Sequence, residues 1–109
     1  MMSKRYKYDL RLDQLPMMFD TSFGNYHCSL QINYNEVGDF YTVDLYDAEG
    51  NVIIKGEKLV YGKRLWSDYT DYRLPSIDLV PMDESGRSHV VNRETFGKTV
   101  FLYIDSVVS

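Results

Sequence analysis

Few residues in this 109-residue sequence can do chemistry, and they are poorly placed for it. His27, Cys28 and His89 are the only nitrogen and sulfur ligands of the usual metal-binding kind. A single cysteine is too few for a zinc site built on two or more thiolates, and it cannot close an internal disulfide. On a strand, His27 and Cys28 point to opposite faces, so no bound metal and no cofactor is expected. Cys28 belongs to the apolar face of its segment, where a thiol is inert. The base a Cys–His nucleophile needs would have to come from His89, far along the chain. The seven glycines stand singly, and none builds a phosphate-cradling loop.

One segment has a more functional look. Asp68 and Asp71 flank Tyr69, with Trp66 and Tyr72 beside them. Carboxylates next to aromatic rings suit a glycosidase or a sugar-binding platform. Extended back to Tyr61 and Arg64, the same segment holds three Tyr, one Trp and an Arg, the residue types enriched at contact hot spots. A non-catalytic contact surface is the favoured reading, with Tyr61, Arg64, Trp66, Tyr69 and Tyr72 as candidate protein-contact residues. The structural alternative is that these rings cap the open end of a core. No catalytic residue is assigned.

The elements that position these residues read as strands. The chain has one Ala beside ten Tyr, five Phe and one Trp, and aromatic and β-branched residues fit a pleated, half-buried surface. Tyr6, Tyr8, Leu10 and Leu12 alternate with charges. Tyr26, Cys28, Leu30, Ile32 and Tyr34 alternate with His27, Ser29, Gln31 and Asn33, a period of two. A turn over residues 35–39 leads to a returning strand, Phe40 to Tyr46, with Tyr41, Val43 and Leu45 on one face and Thr42 and Asp44 on the other. A second turn at Gly50 leads to Val52–Lys55. Lys58–Tyr61 is expected as a short strand, residues 62–74 as a long ordered loop, Ile77–Val80 as a strand closed by Pro81, and Thr99–Ile104 as the last strand. Leu30, Ile32, Val43, Leu45, Val80, Val100 and Leu102 are the expected core. The pattern predicts an all-β fold, a small antiparallel β-sandwich or barrel-like domain of about six to eight strands.

Composition bounds the rest. A chain this long buries about two-thirds of its surface, enough for one core, so residues 1–109 are expected as a single β domain with residues 1–4 as a flexible lead. Twelve Lys and Arg against sixteen Asp and Glu give a net charge of −4, which opposes binding to nucleic acid or to anionic membranes. No run reaches the length of a membrane span. The basic start, Met1 to Tyr6, has no apolar run behind it, so no secretory leader is expected.

The order of features adds a resemblance. An aromatic segment with Phe19 and Phe23 precedes the Tyr26–Ile32 strand, then Phe40 to Gly50, then Gly56-Glu57-Lys58-Leu59-Val60-Tyr61-Gly62. The Leu74-Pro75 step, Leu79-Val80 with its Asp/Gly loop, and Phe96 to Ile104 follow. Over residues 6–105 this resembles the phage baseplate plug family, departing from it in its many tyrosines and its longer polar segment at residues 63–73. The resemblance implies a structural, non-enzymatic virion protein of a phage or prophage tail tip, made in the bacterial host cytoplasm. It implies partners among the tail-hub and spike proteins or copies of the chain itself, and it brings no catalytic residue. A non-catalytic carbohydrate-binding β module is the alternative.

Overall fold

The computed structural model describes residues 2–7, 10, 12–23, 25–69, 74 and 78–108. Among them run seven strands: β1 (Met2–Lys7), β2 (Met17–Phe23), β3 (Tyr26–Asn35), β4 (Phe40–Asp47), β5 (Val52–Lys58), β6 (Asp78–Met82) and β7 (Phe101–Val108). They form two antiparallel sheets, one ordered β2-β3-β4-β5 and the other β1-β7-β6. The fold is all-β, as the residue pattern predicts.

The larger sheet is a meander whose alternation fixes its register. Leu30 pairs with Leu45 and with Phe19, and Ile32 pairs with Val43 and with Met17. One set of side chains therefore faces inward from adjacent strands, since a slip of one residue would turn all of them outward. Cys28, Leu30, Ile32, Tyr41, Val43 and Leu45 are buried. From the smaller sheet Leu79 and Leu102, with Val100 just before β7, join them in one core cluster. Leu59, Leu65, Trp66, Val91 and Phe96 complete it from the connecting segments.

Several boundaries differ from the sequence expectation, each for a local reason. β1 starts at Met2 rather than Tyr6, because Met2 to Lys7 pair with Val108 to Tyr103. β2 is an additional strand, alternating half-buried Met17, Phe19 and Thr21 with exposed Met18, Asp20 and Ser22. β5 runs through Lys58, so the expected separate strand at Lys58–Tyr61 is instead the end of β5 and a turn. Val80 is half-buried, while Leu79 and Pro81 on either side are buried. The inward face of β6 is thus the opposite one, and Pro81 continues the strand instead of closing it. β6 lies at the edge of its sheet, where a residue without an N–H is tolerated.

Asp44 departs from expectation as well. It sits on the outer face of β4 yet is only 5% exposed. Register shifts in the β4–β5 pairing fall at this point, and Gly56 adopts φ +75° there. The Gly56 N–H donates to Asp44 Oδ1 at 2.8 Å and Asn33 Nδ2 donates to Oδ2 at 3.1 Å. The carboxylate thus serves a backbone donor at the irregularity, which satisfies a buried charge.

Candidate functional site

The segment from Leu59 to Tyr69 carries most of the candidate contact residues, and its path explains their placement. The Leu59 N–H donates to the Tyr41 carbonyl at 2.9 Å, holding the segment to the larger sheet. The Gly62 N–H then reaches the Pro81 carbonyl and the Leu65 N–H the Leu79 carbonyl, both at 2.8 Å. The segment therefore crosses from one sheet to the other and takes up acceptors along the edge strand β6, which an open edge would leave available for aberrant pairing. Its function begins as a strap.

On this strap the sequence-predicted residues separate. Tyr61 is half-buried and clamps the end of β6, its hydroxyl accepting the Asp83 N–H at 3.2 Å. Its ring meets His89 edge-on, with centroids 5.4 Å apart and planes at 66°. Arg64 and Tyr69 are exposed, Tyr69 to 49%. Trp66, expected as an exposed contact anchor, is only 4% exposed and belongs to the core cluster. The chain turns inward at Leu65 and Trp66, so the capping alternative describes this ring. Tyr72 lies outside the described residues.

Trp66 carries two local costs. Its φ is +60°, a left-handed backbone that a large aromatic residue rarely adopts, costing about 1–3 kcal/mol. Its indole N–H is buried with no acceptor, a further cost of about 1–3 kcal/mol. The Trp66 backbone N–H donates to Glu57 Oε2, a carboxylate reaching across from β5. The exposed pair Lys63 Nζ and Asp68 Oδ2, 2.7 Å apart, brackets the turn. Asp68 holds Lys63 above the usual lysine range.

Residues that composition did not single out extend the surface. Val60 and Val90 are 41% and 51% exposed, and each is the chain neighbour of one member of the Tyr61–His89 contact. Val37, at the tip of the β3–β4 hairpin, is fully exposed. Only Val37 stands between non-apolar neighbours, Glu36 and Gly38, a weak signal because single exposed apolar residues are common; Val60 and Val90 sit in short apolar runs that do not show which side chain faces out.

The loop after β6 is held rigid from within. Asp83, 6% exposed, accepts from Ser85 Oγ at 2.6 Å, and from the N–H groups of Ser85, Ser88 and Arg87 at 2.8, 2.9 and 3.1 Å. The Ser85 hydroxyl, then the backbone donors, lower the Asp83 pKa below the usual carboxylate value.

Chemistry elsewhere is muted. Burial, then the charge of Asp20, pushes the Cys28 thiol up to about 11, so it carries almost no thiolate at neutral pH. His27 is exposed while Cys28 is buried, on opposite faces of β3. Among the described residues no group of three or more His, Cys, Asp or Glu is placed to hold a metal ion, and no helix is long and apolar enough to cross a membrane. An open groove of about 700 Å³ is lined by Leu12, Leu15, Pro16, Tyr34, Arg93 and Lys98, among others. At its rim Tyr34 Oη donates to Asp39 Oδ1 at 2.7 Å, and the same oxygen accepts the Arg93 N–H at 3.0 Å. That hydrogen bond raises the Tyr34 pKa to about 12. These contacts tie the hairpin tip to the loop before β7.

The polar side chains at these sites mostly fasten loops, and Arg64 and Tyr69 are exposed on a strap between two sheets, an arrangement that suits a structural module. The comparison with known families makes this specific. The family described as cyanophage baseplate Pam3 plug gp18 matches residues 5–107. The chain belongs to this family of phage baseplate plugs. No curated protein and no solved structure matches it.

Proposed function

We propose that this chain is a non-enzymatic component of the tail tip that helps close the tail tube. It is made in the host cytoplasm and contacts hub or spike proteins, or further copies of itself, in the virion. The observation that carries the reading is the family match across residues 5–107. The surface supports it: Val60, Arg64, Tyr69 and Val90 are exposed around the strap, Tyr provides a large contact at low entropic cost, and Arg is enriched at contact hot spots. A sugar platform requires coplanar exposed rings. Among the described residues the close pairs Tyr34–Tyr41 and Tyr41–Phe96 are tilted by 45° and 54°, and Tyr41 and Phe96 are buried.

The test is a phage carrying Arg64→Ala and Tyr69→Ala. The variant protein should keep its fold, because both side chains lie at the surface, while tails assemble poorly or lose the protein. Normal tails that retain the double variant would remove the strap as the contact surface. Infective tails built with no copy of the protein would remove the structural role itself.

A further inference from the structure

The two penalties at Trp66 coincide on one residue, and both would be relieved by one movement. An outward turn of residues 63–69 would let the backbone leave φ +60° and give the indole N–H water as an acceptor. Against that movement stand the burial of the ring and several holds. Among them are Glu57 Oε2 on the Trp66 N–H, the Leu79 carbonyl on the Leu65 N–H and the Val60 carbonyl on the Lys63 N–H, and the exposed Lys63–Asp68 pair. Lys63, Arg64, Ser67, Asp68 and Tyr69 are already exposed, so only the side chains of Leu65 and Trp66 would have to leave the core. The pairing within each sheet needs none of these contacts.

We propose that residues 63–69 form a latch, closed with Trp66 in the core and held there by Glu57, and able to open while both sheets stay folded. Opening brings the largest apolar side chain of the strap to the surface. This inference concerns the isolated chain and does not rest on the plug reading. A segment with few buried side chains and a strained backbone residue is where opening below the global unfolding free energy is expected.

Trp66 is the single tryptophan of the chain, so its indole N–H and its emission are signals of this residue alone. Hydrogen exchange of the wild-type protein, followed by NMR at increasing low denaturant, compares the indole N–H with the amides of Leu30 and Val43. With each rate taken relative to the same group in an unfolded chain, the latch requires the indole to be protected at least about tenfold less than those amides, with little dependence on denaturant. An indole protected as strongly as those amides, with the core's denaturant dependence, would show that Trp66 leaves only on global unfolding and would overturn the proposal. Glu57→Ala, which removes the acceptor that a Gln amide oxygen would keep, gives a second arm. Its indole exchange and acrylamide quenching should rise several-fold with the Leu30 and Val43 amides unchanged. Unchanged quenching, or an equal rise at the core amides, would deny Glu57 the holding role.

Discussion

At the residue scale, two side chains show how burial and hydrogen bonding set chemistry in this chain. Cys28 is 3% exposed and its thiol is raised to about 11. A thiol-specific reagent added to native protein at neutral pH should therefore leave it unmodified and label it only after denaturation. Rapid native labelling would show that β3 does not hold its inward face. Asp83 works in the other direction. Its carboxyl ionises below its ordinary value because the folded loop supplies donors. A lowered folded pKa contributes stability that is fully present above the unfolded value of about 3.9 and is lost as pH falls through the folded value. Asp83→Asn should thus lower the melting temperature at pH 7, with the gap to wild type narrowing once the pH drops below the ordinary carboxylate range. A gap that stays constant from pH 7 into acid would mean that the charge contributes nothing.

At the scale of elements, turns and irregularities decide more than the strands themselves. Gly97 adopts φ +84°, and a Cβ placed there would lie 2.5 Å from Leu12 Cδ1. Gly97→Ala therefore meets a backbone cost of about 1–2 kcal/mol and must also displace a partly buried leucine. Chemical denaturation should show a loss above the backbone figure, and a neutral result would contradict the packing of Leu12 on this turn. The same scale explains what was readable in advance. The β3–β4 hairpin was legible because nine residues of strict alternation, Tyr26 to Tyr34, leave one register able to bury Leu30 and Ile32. β2 was not, because Met17-Met18 breaks the apolar alternation at its start and methionine is no strand signal. Val80 was assigned to the core because a continuous apolar run does not reveal which face is inward; the pairing of Leu79 with Ile104 and Pro81 with Leu102 settles it. Trp66 was misplaced for a different reason. Hot spots and core caps share one composition, and the choice was made by distant partners, the Leu79 carbonyl and the Glu57 carboxylate, which no local pattern contains. Tyr61, Arg64 and Tyr69 are candidates by residue type alone, and their exposure or burial follows from the path of the strap.

At the scale of the whole molecule, two sheets share one core, a strap bridges them, and the chain is a member of a baseplate plug family. Placing Trp66 in that core has a measurable consequence. Deleting a buried aromatic ordinarily costs about 3–5 kcal/mol. Removal of the orphan N–H returns part of it, while Ala keeps the strained φ, so Trp66→Ala should lose on the order of 2 kcal/mol. Unfolding followed by circular dichroism checks the figure, and a variant as stable as wild type would return Trp66 to the surface. The central claim is the structural role at the tail tip. A cryo-EM map of the virion that carries this chain tests it most directly. The account predicts density for the two-sheet domain at the end of the tail tube, with the face bearing Arg64 and Tyr69 against a neighbouring baseplate protein or another copy. A complete baseplate map with the tube end filled by other proteins and no density for this fold would contradict it.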